Sequence, residues 1–220
     1  MDLRYHIPMP KFQPTVEEIT WAEKNIVPIA HDSAENLFKR QGAKFDKTNL
    51  PQSAFEGWTM ADKIRAHFDE LELKFRRFSV FVGAAGATAA VPHIDAGGIG
   101  FPAIARFNVP LRGFIGAKLS FWDETVSDSR IKERHFEEWD ATSKSMKKGF
   151  SYLSDFNAVW DDPKYTVIDP GPCWNHVEVA HKLELDNTTE VRVNVTAELA
   201  VQVPWSTIIQ RLHAKGYCHS

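Results

Sequence analysis

At Phe75 the hydrophobic period of this chain changes from about 3.6 residues to two, and that switch limits the possible folds more than any other feature. Ahead of it the pattern is helical. Thr15 and Glu18 stand as a capping box, and Val16, Ile19, Ala22 and Ile26 recur on one face until Pro28. A second helix is expected from near Ser33 to Arg40, ended by Gly42, and a third after Thr59 with Ile64, Phe68 and Leu71 on one side. Behind the switch come strands. Phe78, Val80 and Val82 alternate with Ser79 and Phe81; Arg106 and Asn108 alternate with Ala105, Phe107 and Val109 along Ile104 to Pro110; Ala117 to Trp122 is a further short strand. Tyr165 to Ile168, Val177 to Leu185 and Val191 to Val203 are also β-rich, broken by the turn sequences Asp169-Pro170-Gly171-Pro172 and Asp186-Asn187-Thr188-Thr189. A short helix from Ser206 to Leu212 closes near Gly216.

Between Asp123 and Lys164 the sequence is charged and irregular; Ile131 to Trp139 reads as a helix, and the segment as a lid over a site or a surface insertion. With no internal repeat and no low-complexity linker, residues 1–220 are expected to form one domain: a helical support over 1–74, a β core over 75–203 with a variable insertion at about 123–164, and a C-terminal helix over 204–220.

Hydrophobic residues make up 43% and charged residues 25% of the 220, an ordinary globular balance that argues against disorder. The net charge of -3, with no local run of Lys or Arg, supplies no field for nucleic acid or anionic lipid. Cys173 and Cys218 are too few for a disulfide framework and are expected to be reduced thiols. The start of the chain lacks the layout of a signal peptide, and the weakly polar run Val80 to Pro92 is too short to span a bilayer. The expectation is a cytoplasmic protein without a membrane or nucleic-acid partner. Gly83 to Thr88 is glycine-rich but no lysine follows to meet a phosphate, and Trp122, Trp160, Trp174 and Trp205 are expected to pack rather than to bind.

Within the β region, Val91-Pro92-His93-Ile94-Asp95 stands out. In an extended segment His93 and Asp95 leave the same face, with Cβ atoms roughly 6 to 7 Å apart. Imidazole and carboxylate then supply two of the three ligands of a facial metal site, and a second histidine must come from elsewhere. If Asp186 to Thr189 closes an even hairpin, Leu185 faces Glu190, Leu183 faces Arg192 and His181 faces Asn194, which puts His181, Arg192 and Asn194 on one side and Val191, Val193 and Val195 on the other. His176 competes with His181 for the distal position. His135, among Glu133, Arg134, Glu137 and Glu138, is expected on the surface.

Taken together, Val91 to Asp95, Arg106 to Leu111 and Pro172 to Thr196 make the chain resemble the 2-oxoglutarate/Fe(II)-dependent oxygenases, in particular the small bacterial and phage members akin to aspartyl/asparaginyl β-hydroxylases. The resemblance spans Phe78 to Ala200. It implies a mainly β fold, a double-stranded β-helix (jelly roll, cupin-like) with the N-terminal helices packed on its outside and a short C-terminal helix. It implies His93, Asp95 and His181 as metal ligands, Arg192 as anchor of the cosubstrate's far carboxylate, and Asn108 as a further cosubstrate contact; Arg106, Asn194 and His176 are weaker candidates. Cofactors would be Fe(II), 2-oxoglutarate and O2, no catalytic side chain is expected beyond the ligands, and the reaction would hydroxylate an unactivated C–H bond of a small-molecule or peptide substrate, releasing succinate and CO2. A cupin-like hydrolase or isomerase with another metal, and a noncatalytic jelly-roll binding module, fit the same residues.

Overall fold

The computed structural model describes residues 2–30, 45–87, 91–98, 101–140, 145–155, 157–185 and 187–218. Their strands form two six-stranded antiparallel sheets and one small ribbon. The larger sheet runs in the order β1 (His6–Pro8), β12 (Cys173–His176), β7 (Ala105–Arg112), β14 (Arg192–Leu199), β3 (Phe75–Gly83), β2 (Phe45–Thr48). The smaller runs β11 (Tyr165–Ile168), β8 (Lys118–Phe121), β13 (His181–Glu184), β4 (His93–Ile94), β10 (Ser145–Ser154), β9 (Ile131–Asp140), and β5 (Ala96–Gly98) pairs with β6 (Phe101–Pro102).

Alternation sorts the larger sheet into two unlike faces. Phe78, Val80 and Val82 on β3, Phe107 and Val109 on β7, and Val193, Val195 and Ala197 on β14 are all buried in one apolar cluster. That cluster is completed by the helices α1 (Val16–Asn25), α2 (Thr59–Glu70) and α3 (Trp205–Ala214), through Ala22, Ile64, Phe68, Ile208 and Leu212. Thr15 accepts from the Glu18 backbone amide while Glu18 Oε2 accepts from the Thr15 amide, so the capping box forms at the start of α1. The opposite face of the sheet is polar. Registers align His6, Asn175, Arg106, Glu198 and Arg77 in one row across five strands, with Cys173, Asn108, Thr196 and Ser79 in the next. This face is turned toward the smaller sheet: Arg106 on β7 bonds Asp95 beyond β4, and Tyr5 stacks on Phe121 of β8 at 5.8 Å.

Four expectations are corrected. Strands β13 and β14 form no hairpin, because each is an inner strand: β13 is paired by β8 and β4, and β14 by β7 and β3, leaving no edge for the other. Ile131 to Trp139 is strand rather than helix. It pairs over its full length with β10, so the backbone ladder to the opposing strand decides its conformation where no apolar alternation does. The 1–74 region is not helical throughout, since it adds β1 and β2 to the two edges of the larger sheet. The β-rich stretch placed at Val177 to Leu185 begins earlier, at Cys173, and is interrupted between His176 and His181 where the chain passes from one sheet to the other. The helix expected from Ser33 to Arg40 lies outside the described residues.

Candidate functional site

His93 and His181 are cross-strand partners in the smaller sheet, so their rings leave it side by side, with centroids 4.4 Å apart. Asp95 follows two residues after His93, past the end of β4, where its amide donates to Val177 O at 3.2 Å and its carbonyl accepts from the Ala103 amide at 2.8 Å. Those backbone bonds turn its carboxylate back toward the histidines. Asp95 Oδ1 lies 3.9 Å from His93 Nε2 and 3.8 Å from His181 Nε2, and the ligand atoms of all three residues fall within 4.8 Å of one another. Cis ligands on bonds of roughly 2.1 Å stand about 3 Å apart, so a divalent ion would shorten the two carboxylate–imidazole distances by about an ångström and the widest pair by up to about 2 Å.

Ring orientation suits metal binding. His181 Nδ1–H donates to Val179 O at 3.0 Å, which leaves Nε2 as the lone-pair nitrogen facing Asp95. His93 bonds the Val91 backbone, and burial together with the neighbouring His181 pushes its imidazole down to about 4, so it is neutral at physiological pH. The Asp95 side chain keeps 31% of its surface exposed, so the cluster is open to solvent on one side.

The polar face opposite holds a different group. Arg192 opens β14, 6% exposed, and neither its Nε nor its Nη1 has a hydrogen-bond partner among the described residues. Burial pulls its guanidinium down to about 10. Its backbone is held close against Gly113, whose φ of +66° is in the left-handed region and where a Cβ would come within 2.5 Å of Arg192 Cα. Cys173 faces the same space; burial raises its thiol to about 12.

The other expected residues fall in three places. Asn108 and Asn194 are on the polar face, joined to each other and to Thr196: Asn108 Oδ1 accepts from Asn194 Nδ2 at 2.9 Å and from Thr196 Oγ1 at 2.7 Å, and Asn194 Oδ1 is buried without a partner among the described residues. Arg106, a weaker candidate, lies between two of the chain's own carboxylates, Asp95 Oδ2 at 3.2 Å and Glu198 Oε1 at 2.9 Å. His176 is not brought to the cluster; its ring stacks on Trp205 at 5.1 Å and its Nδ1 donates to Arg4 O. His135 is on the surface beside Glu133. Glu198 was missed by sequence reasoning, although extending the alternation of Arg192 and Asn194 by four residues puts Thr196 and Glu198 on the same face. A cavity of about 310 Å³ lies on the other side of the smaller sheet, lined by Lys118, Ser120, Lys182, Glu184 and Trp160, and holds none of the three clustered residues.

No protein-family model and no curated protein matches the chain. Among solved structures it is similar to a prolyl-4-hydroxylase of Pseudomonas putida, at 12% identity and a TM-score of 0.42, covering 88% of this chain and 90% of that one. It is also similar to SnoK, a non-heme alpha ketoglutarate dependent carbocyclase from nogalamycin biosynthesis (10%, TM-score 0.41, 90% and 82% covered), and to the corresponding epimerase SnoN (13%, TM-score 0.34, 87% and 75%).

Proposed function

We propose that this chain is a 2-oxoglutarate- and Fe(II)-dependent dioxygenase that hydroxylates an unactivated C–H bond of a small molecule or peptide. The observation that carries the reading is the Arg192 guanidinium, buried with Nε and Nη1 unpartnered among the described residues, on the face turned toward a His–Asp–His cluster. Buried guanidinium nitrogens without a partner cost several kcal/mol, and an anion entering that space would remove the cost. A planar fork is suited to a carboxylate.

His93, Asp95 and His181 would hold the metal through two imidazole Nε2 atoms and one carboxylate oxygen, the ligand set of a non-haem Fe(II) site with three positions left open. Bound Fe(II) with 2-oxoglutarate and O2 supplies the oxidation, with loss of CO2 and formation of succinate. The protein's own residues bind and orient. His181 lies on β13 of the smaller sheet and Arg192 on β14 of the larger, so a ligand that meets both the cluster and the guanidinium would bridge the two sheets. Asn108, Asn194 and Thr196 line the face between, and the buried Asn194 Oδ1 is a further acceptor there.

Topology supports the double-stranded β-helix in particular. Pairing is nested in chain order, β3 with β14, β4 with β13, β7 with β12 and β8 with β11, the order produced when one long antiparallel hairpin is wound into two facing sheets. The test is anaerobic addition of Fe(II) and then 2-oxoglutarate to the metal-free chain, followed by air. The expected results are a visible charge-transfer absorption and then succinate. A chain that binds neither, or that binds zinc or manganese and forms no succinate, overturns the reading.

A further inference from the structure

Asp95 is gripped from the opposite sheet. Its Oδ2 accepts from Arg106 Nε at 3.2 Å, while Oδ1 faces both histidines. Arg106 is 5% exposed and its Nη1 bonds Glu198 Oε1 at 2.9 Å; Glu198, 3% exposed, also accepts from Arg77 Nε at 3.0 Å and from Ser79 Oγ at 3.3 Å. The anchoring residues lie on three adjacent strands, β7, β14 and β3, and Arg106, Glu198 and Arg77 are aligned in one row. A rigid sheet therefore holds a carboxylate that belongs to a loop of the other sheet.

We propose that Arg106 is a positioning residue that confines Asp95 to a single metal-binding oxygen. The inference rests on the metal-binding reading above. With Oδ2 engaged by a guanidinium, Oδ1 alone would be offered to a bound ion, which would leave coordination positions for a 2-oxo acid and dioxygen. Without Arg106 the carboxylate can rotate to give both oxygens and fill one of those positions. Two guanidinium groups, those of Arg106 and Arg77, meet the carboxylates of Asp95 and Glu198. Lysine cannot substitute: the fork sends Nε toward one carboxylate and Nη1 toward the other, whereas an ammonium is a single point.

The test uses the full chain, metal-free, titrated with Co(II) under nitrogen, and reads both the dissociation constant and the visible absorption of the bound ion. Native protein is expected to bind with the weak bands of a six-coordinate ion. Arg106→Gln and Arg106→Lys are expected to bind roughly ten- to a hundredfold more weakly and with altered bands, which a purely structural role would not produce in a folded protein. Far-UV circular dichroism of the metal-free variants establishes folding. Should Arg106→Gln fail to fold, Glu198→Gln, which keeps a hydrogen-bond acceptor for Arg106 but removes the charge, is expected to weaken Co(II) binding severalfold with the same spectral change. Folded Arg106→Lys or Glu198→Gln protein with native affinity and native bands overturns the role of Arg106 while leaving the metal site standing. Failure of the native chain to bind Co(II) overturns the metal reading and this inference together.

Discussion

A guanidinium buried as deeply as that of Arg192, with no partner for Nε or Nη1 among the described residues, is expected to destabilise the ligand-free chain, an effect that can be measured. Arg192→Met is expected to raise the thermal midpoint of the metal-free protein, since an unpaired charge is replaced by an apolar chain of similar reach. The same variant is expected to need a 2-oxoglutarate concentration higher by one to two orders of magnitude for half-maximal succinate formation, as loss of a charged hydrogen bond contributes about 1.5 to 3 kcal/mol. Both directions together separate a ligand anchor from a structural cation. His67 makes a second case. It is 2% exposed among Phe12, Phe107 and Tyr217, with Nε2 accepting from Trp174 Nε1 at 3.2 Å and Nδ1 unpartnered among the described residues. Burial lowers its imidazole to about 4 from an ordinary 6.5. The unfolded chain takes up this proton as pH falls through 6.5 and the folded chain does not until about 4, so stability is lost across that window, by about 3 kcal/mol in all, and is unaffected above it. His67→Gln is expected to remove one proton's worth of slope from the urea midpoint between pH 6.5 and 4. Neither environment can be read from the sequence, which marks Arg192 only as a polar member of a strand and His67 as an interruption in an apolar helix stripe.

Elements in this chain are stabilised by a few side chains that reach out of them. Glu18 closes the capping box of α1, and its Oε1 accepts from Thr59 Oγ1 at 2.9 Å and Lys63 Nζ at 2.7 Å, joining α1 to the first turns of α2. It is 4% exposed, so its charge is met by those partners rather than by water. Glu18→Ala is expected to cost about 2 to 3 kcal/mol, the sum of a lost cap and a lost charged bond, read as a lower urea midpoint at unchanged slope. The box itself is visible four residues wide in the sequence; its link to Thr59 and Lys63 is not, because nothing local relates positions some forty apart. The same limit explains Ile131–Asp140. Its charged residues carry no period, and only the opposing strand Ser145–Ser154 makes it extended.

For the molecule as a whole, two sheets hold opposite halves of the proposed site, the clustered ligands on or beside the smaller and Arg192 on the larger. Ligands that bind across both sheets stabilise only the folded chain. At a hundredfold excess over their dissociation constant, each is expected to add about 2.7 kcal/mol, a rise of roughly 5 to 10 °C in thermal midpoint for a chain of this length. Differential scanning fluorimetry with Fe(II) and 2-oxoglutarate under nitrogen checks this, and His181→Ala is expected to abolish the shift from metal. None of the described helices is long and apolar enough to cross a membrane.

What the sequence determined by itself is the sorting of side chains to faces. Alternation along Ile104 to Pro110 and Val191 to Val203 placed Arg106, Asn108, Arg192 and Asn194 opposite the apolar rows that pack on the helices, because a strand's period of two is a property of neighbouring residues alone. What tertiary structure decided is which strands lie edge to edge. His181 and Arg192 follow each other closely in the chain yet belong to different sheets, while His93 and His181, eighty-eight positions apart, are cross-strand neighbours. Pairing depends on which edges are already occupied, a condition set by the whole assembly of strands rather than by any one segment, and so the grip of Arg106 and Glu198 on Asp95 exists only once both sheets are complete.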